Sequence, residues 1–403
     1  MILERGFEQL LELSEGWEVK RVELDTKCGE VVLHIECGLK EVEDPLTQLA
    51  CPVYDHAPVR RWRHLDTMQY KTYLSCALPR IELPDGKVKT VEPPWASGHE
   101  RHTYLFERLT IDLLRATGNQ TRSAALLRCG FNVVNRIMHL SVRRGMERRP
   151  LGEVPIKHLS IDEKSFKKGH KYVTVLSDPL AGCVLDVEED RTKEACKNLL
   201  GRALTAEQLQ QVQTVTMDMW KAYMNTVAER LPQARVIHDR FHLVKYLNTA
   251  IDQVRRREVK THAELKQTRY TLLKNPENLT EKQRIKFEHI KTANYQVAKA
   301  WQARENFKDL FCSTAQEAFC LYMQWASDAI NRKVNELTKV VTMFNDHMRG
   351  VLNALVSPFS NAMAERLNGK IQQLKTVGRG YRTFANFRSA ILFFHGGLNL
   401  YPL

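Results

Sequence analysis

Beyond Pro155 the chain breaks into short apolar runs separated by helical stretches, and this order constrains its fold more than any other feature. Residues 156–161, 172–176 and 183–187 read as three successive buried strands. Residues 192–204 have helical periodicity, 214–217 form a fourth strand, 221–231 a second helix and 234–237 a fifth strand. Three strands, a helix, a strand, a helix and a strand is the order of an RNase H-like α/β core.

Carboxylates sit at telling points of that pattern. Asp162 closes the first strand and Asp218 the fourth, while Glu365 lies in the helical stretch Ser360-Asn-Ala-Met-Ala-Glu365-Arg-Leu-Asn368. Two aspartates at neighbouring strand ends and one helical glutamate offer hard oxygen donors, the kind that two Mg²⁺ ions prefer, with Mn²⁺ as a substitute. In-line displacement at a phosphodiester is the chemistry such an ion pair serves. Each residue also has a plainer reading. Asp218 stands where the helix near Lys221 takes its cap, Glu163 beside Asp162 is as acidic as its neighbour, and Glu365 is placed to pair with Lys370. Asn361 and Glu365 are i, i+4 on one face with Asn368 close by, and Lys370, Lys375 and Arg379 continue as candidate DNA-backbone contacts. In His238-Asp-Arg-Phe-His242, imidazoles are poor Mg²⁺ ligands, so Asp239 reads as a helix cap and His242 as a supporting group. Trp220 reads as a core or substrate-stacking side chain.

The charge distribution bears on the partner. The chain carries a formal +13, yet residues 1–50 hold twelve acids against five bases. Residues 240–310 hold sixteen bases against eight acids, and residues 354–403 hold six bases and the single acid Glu365. Basic segments flanking a carboxylate site favour a polyanion such as DNA. No run of about 18 apolar residues calls for a membrane span. The N-terminus lacks the basic-then-apolar order of a signal peptide. Nine irregularly spaced cysteines fit a reduced compartment better than a disulfide scaffold. These features together imply a cytoplasmic, nucleoid-associated protein.

Ahead of the core, residues 1–13 read as an amphipathic helix, 17–25 and 30–37 as a hairpin, and 51–95 as a small β-rich module. Residues 104–116, 119–127 and 132–144, with a Cys129-Gly-Phe131 turn, have the layout of a helix-turn-helix capped by Asn132. Its second helix presents Asn135, Arg136, His139 and Arg143, side chains suited to phosphates and base edges.

Several blocks resemble one known family. They are Asp162-Glu163, Gly169-His-Lys-Tyr172, Met217-Asp-Met-Trp220 with Tyr223, Leu231-Pro-Gln-Ala234, Asp239-Arg-Phe-His242 with Val244-Lys245, and Ser360-Asn361 with Glu365 and Asn368. The chain thereby resembles the ISL3 insertion-sequence transposases, bacterial enzymes of the DDE superfamily, over nearly its whole length. The resemblance puts Asp162, Asp218 and Glu365 on the catalytic, metal-binding triad. It also implies binding to terminal inverted repeats and target DNA, and a homodimer or higher assembly on paired ends. One region departs: where many relatives carry zinc-ligand pairs, this chain has Cys51-Pro-Val-Tyr54 and Leu83-Pro-Asp-Gly86, so no zinc is expected.

The expected organisation is α+β and multidomain. Residues 1–50 form an N-terminal α/β segment, 51–100 a degenerate zinc-ribbon-like module, and 103–150 the helix-turn-helix and linker. Residues 155–259 begin the RNase H-like core, 260–350 form a helical insertion, and 351–403 complete the core with the glutamate helix. Two other functions stay open at this point: a DNA-binding regulator without catalysis, and a nuclease of the same fold that hydrolyses without strand transfer.

Overall fold

The computed structural model describes residues 2–45, 47–149, 155–167, 171–293, 295–312, 314–357 and 362–402. The chain forms two compact units, residues 1–148 with 398–403, and residues 149–397. It is a mixture of α and β structure throughout.

The first unit starts with α1 (Ile2–Leu11), followed by strands β1 (Trp17–Asp25), β2 (Glu30–Cys37), β3 (Glu41–Glu43), β4 (Ala50–His56), β5 (Arg60–Arg63), β6 (Lys71–Cys76), β7 (Pro79–Glu82) and β8 (Val88–Thr90). They build two four-stranded sheets, ordered β1-β2-β6-β5 and β3-β4-β7-β8. The expected hairpin is β1 against β2. Alternation along β2 sends Val31, Leu33 and Ile35 into a core shared with Trp62, Leu74 and Trp95. Cys51 lies in β4 and Cys76 in β6, strands of different sheets, and burial pushes the Cys76 thiol up to about 12.

Three helices follow: α2 (Tyr104–Thr117), α3 (Gln120–Leu126) and α4 (Phe131–Glu147). Thr103 caps α2, Gly118 ends it in the left-handed region at φ 61°, and Asn119 caps α3. The cap of α4 is Gly130 rather than Asn132, because the helix begins one residue earlier than its polar signal and no side chain bonds its first turn. The segment from Leu398 onward packs on this unit. Leu398 lies over Gly145, where an added Cβ would come within 2.8 Å of it, and Leu400 is fully buried. Arg144 and Arg148 donate to the carbonyls of Leu400 and Tyr401 at 3.1 and 2.7 Å, and the Tyr401 hydroxyl donates to Asp112 at 2.6 Å.

The second unit holds the five-stranded sheet: β9 (His158–Lys167), β10 (Lys171–Asp178), β11 (Cys183–Glu189), β12 (Thr214–Met217) and β13 (Arg235–His238). Its order is β11-β10-β9-β12-β13. The first three strands are antiparallel, and β9, β12 and β13 run parallel. Strand β9 does not stop at Asp162. It runs on to Lys167 because the residues after Asp162 pair with β10, from Glu163 opposite Thr174 to Lys167 opposite Lys171. Helices α5 (Lys193–Ala203), α6 (Ala206–Gln211) and α7 (Lys221–Arg230) provide the crossovers. Asp186 of β11 is fully buried and bonded by both Arg202 and Arg388, which ties α5 and the last helix to that strand.

Helix α8 (Arg240–Glu258) leads into α9 (Arg269–Leu273), α10 (Glu281–Thr292), α11 (Gln296–Asp309), α12 (Ala318–Asn331) and α13 (Asn335–Asp346), and α14 (Met348–Val356) returns to β13. Ile237 of β13 and Met219, just beyond β12, share one apolar cluster with Leu247, Trp301, Trp325 and Phe344 of these helices. The expected insertion therefore packs against the β13 edge of the sheet, and the sheet's central strands share a separate core with α5 and α7. Helices α15 (Ala362–Val377) and α16 (Phe384–His395) finish the unit, with Phe387 stacked on Phe166 at 5.3 Å. No described helix is long and apolar enough to cross a membrane.

Candidate active site

The parallel register builds the site. Ile161 of β9 pairs with Met217 of β12, and Met217 with His238 of β13. Asp162, Asp218 and Asp239 each follow one of these paired residues, so three aspartates stand side by side where the three strands end their parallel ladder. In open α/β sheets that end of the strands is where ligands bind.

Each carboxylate is held differently. Asp162 accepts the amide of Glu163 at 2.7 Å and the side-chain amide of Asn368 from α15. Burial dominates there and pushes its carboxyl above the ordinary range, despite those two bonds. Asp218 does not cap α7, whose N-cap is Trp220. It accepts the Met219 amide at 2.7 Å, the Tyr246 hydroxyl at 3.2 Å and His242 Nδ1 at 2.9 Å. Burial pulls the Asp218 carboxyl upward, but the His242 contact and these bonds prevail and hold it below the ordinary range. The same contact wins against burial at His242, whose imidazole is raised. Asp239 caps α8 by accepting the Phe241 amide at 2.9 Å, and its other oxygen is 3.9 Å from His242 Nε2. His242 thus spans Asp218 and Asp239, and its charge also reaches Asp162.

Glu365 is placed apart. It is exposed on the first turn of α15 and lines a cleft with Arg240, Phe241, Glu305 and Lys308. Among the described residues no three His, Cys, Asp or Glu side chains stand close enough to hold a metal ion. What meets Asp162 from α15 is Asn368, one helical turn after Glu365. Asn361 lies outside the described residues. Even so, the donors suit a hard divalent cation. Asp162 is a half-buried carboxylate, and Asp218 is its neighbour on the next strand.

Around this centre, Lys375 is tethered to the Ser165 carbonyl at 2.8 Å, whereas Lys370 and Arg379 are exposed. Trp220 is 40% exposed, so it is not a core residue, and its indole donates to the Arg191 carbonyl at 2.9 Å. In the first unit, Asn132, Arg136 and Arg143 are exposed on α4, with Asn135 and His139 half-buried. Arg136 is paired with Glu100 at 3.0 Å.

Two neighbours were missed from the sequence. Tyr246 had a readable signal, since it is i+4 from His242 and shares its helix face. Arg191 had none, because only the fold brings it to Glu163, at 2.8 Å.

Comparison with known proteins gives the family of the chain. The ISL3-type DDE transposase family matches residues 159–391, which span all three expected triad positions. The transposase of insertion sequence element IS1557 from Mycobacterium tuberculosis is 28% identical over 359 residues, 82% of this chain and 80% of its own. The transposase of IS1001 from Bordetella parapertussis is 24% identical over 388 residues, 93% of this chain and 95% of its own. Among solved structures, the Drosophila P element transposase strand transfer complex covers 76% of this chain and 95% of its own at 9% identity, with a TM-score of 0.38, too low to carry an argument. With over half of its length matched by the family, the chain belongs to the ISL3-type DDE transposases.

Proposed function

We propose that this transposase binds the terminal inverted repeats of its insertion sequence and uses an RNase H-like core for metal-dependent DNA cleavage and strand transfer. The observation that carries the reading is the pair Asp162 and Asp218, side by side where β9 and β12 end their parallel ladder, with His242 against the second. Asp162, Asp218 and Glu365 are the residues that would hold two Mg²⁺ ions. When bound, such ions activate the attacking oxygen and stabilise the leaving one. Glu365 and Asn368 are i, i+3 on α15, so the helix that delivers an amide to Asp162 carries the third carboxylate on the same side. Tyr246 and His242 fix the rotamer of Asp218, and Asn368 fixes that of Asp162, so both carboxylates are oriented before substrate arrives.

The reaction is a hydrolysis at the element's end that leaves a 3′-OH, followed by attack of that hydroxyl on a target phosphodiester. The second step exchanges one P–O bond for another and needs no added oxidant or energy source. Lys370, Lys375 and Arg379 follow Glu365 and supply positive charge for the DNA backbone. Asn135, Arg136, His139 and Arg143 read the repeats. Two ends joined in one event call for a homodimer or higher assembly.

One assay tests this reading. Protein is incubated with labelled repeat ends, a target plasmid and Mg²⁺. Strand-transfer product that is lost with Asp162→Ala is the expected result. Hydrolysis without joining would instead indicate a nuclease, and a shifted but intact end would indicate a DNA-binding regulator.

A further inference from the structure

Beside the aspartates, but on the other side of the strand ends, lies a clamp that the mechanism above leaves unused. Asp190, the residue after β11, has a positive φ of 67°, and its amide bonds the Tyr172 carbonyl at 3.0 Å. The Thr174 hydroxyl donates to the Asp190 carbonyl at 2.6 Å. This pins the turn that carries Arg191 on β10. The Arg191 guanidinium is then sandwiched, 4.3 Å from the Tyr172 ring centre and 4.5 Å from that of Trp220. Trp220 is locked in turn by its indole bond to the Arg191 carbonyl. Glu163 takes one N–H at 2.8 Å and is its one hydrogen-bond acceptor among the described residues.

This clamp touches both halves of the site. Glu163 follows Asp162, and Trp220 lies two residues after Asp218. Alternation along β9 puts Glu163 on the face opposite Asp162, so the clamp sits across the rim of the sheet from the carboxylates. An ordinary surface ion pair would contribute little and would not need two aromatic rings. Here the rings have already removed the rotamer freedom of an arginine that stays 35% exposed. Such preorganisation lowers the cost of binding a ligand, and a stacked guanidinium keeps its N–H edges for a phosphate.

We propose that Arg191 is a DNA-contact residue: clamped between Tyr172 and Trp220, it binds a backbone phosphate of the strand being cut, near the scissile phosphate, where that strand crosses the sheet rim. This rests on the proposed function and adds a substrate contact to it.

The test uses the full-length protein and oligonucleotide duplexes of the element's own ends, each with one methylphosphonate that neutralises a single phosphate near the cleavage point. For wild type, neutralising one phosphate should slow cleavage about ten- to a hundredfold, as for the loss of a charged hydrogen bond. Arg191→Ala should lose a similar factor in kcat/KM on unmodified DNA and become insensitive to that same methylphosphonate. Arg191→Lys should fall between, because it keeps the charge and loses the fork and the stacking. If Arg191→Ala does not fold, the wild-type phosphate scan compared with Arg191→Lys gives the same comparison. Cleavage by Arg191→Ala at the wild-type rate, or slow cleavage that stays equally sensitive to every methylphosphonate, overturns the proposal. Wild type that cuts none of the unmodified duplexes overturns the functional reading and the inference with it.

Discussion

Asn368 donates its side-chain amide to Asp162 across 206 residues of chain, and this bond joins the final helical segment to the first strand of the sheet. It is also the contact through which α15, the helix of Glu365, is fixed over the carboxylates. Asn368→Ala should therefore lower the rate of end cleavage about ten- to a hundredfold, as outer-shell partners of metal ligands do. Binding to the repeats should be unchanged, because α4, the helix proposed to read them, lies in the other unit. Glu365→Gln should abolish cleavage altogether. Full activity of Glu365→Gln, measured beside Asn368→Ala, would move the third ligand away from Glu365.

Gly350 tests the packing of α14 on the sheet. A Cβ there would lie 2.5 Å from the ring of His238, which is buried and whose imidazole is pushed down to about 4 by that burial. Gly350→Ala should cost about 1–3 kcal/mol, the usual penalty of overpacking. Thermal unfolding would report it as a lowered midpoint, and an unchanged midpoint would mean that His238 yields without strain.

Glu107 gives a pH signature to the first unit. It is buried on α2 between His102 at 3.3 Å and Arg144 at 2.8 Å. Burial pulls its carboxyl upward, but the bonds from His102 and Arg144 prevail and hold it below its ordinary 4.5. A carboxylate whose folded pKa is depressed adds stability above its unfolded pKa and loses it as pH falls through the folded one. Glu107→Gln should thus cost about 3 kcal/mol at neutral pH. The gap to wild type should stay constant down to about pH 5 and narrow below 4.5. Denaturant titrations at a series of pH values decide it; a gap that widens on acidification would refute the assignment.

Arg136, one of the proposed reading side chains on α4, is tied to a competing partner. To read DNA it must leave Glu100, an exposed contact worth no more than about 1 kcal/mol. Arg136→Ala should weaken specific repeat binding by about 1–3 kcal/mol, whereas Glu100→Gln should tighten it slightly. Equal discrimination between repeat and scrambled DNA by Arg136→Ala would remove this residue from the reading surface.

The five strands were legible because each is a short apolar run, and the aspartates because they end such runs. Asp239 as a cap was legible for the same reason, since it stands between a strand and a helical stretch. The position of Glu365 was not. Its distance from the aspartates depends on how α15 is set down on β9, through Asn368 at one point and Lys375 at another, and no local pattern encodes that docking. The packing of the helical block against the sheet edge was equally hidden. Leu243, Leu247 and Val254 of α8 follow ordinary helical spacing, whichever partner they end up packing against.

The segment Leu398–Leu403 belongs to the unit formed by the first 148 residues. Domains that emerge first from a ribosome usually fold first. Here residues 1–148 lack the residue that fills the space beside Gly145, and the carbonyls that take up Arg144 and Arg148, until some 250 further residues have been made. The unit that holds α2, α3 and α4 is thus completed only after residues 149–397 have been made. Nascent chains still short of Leu400 would carry that unit unfinished.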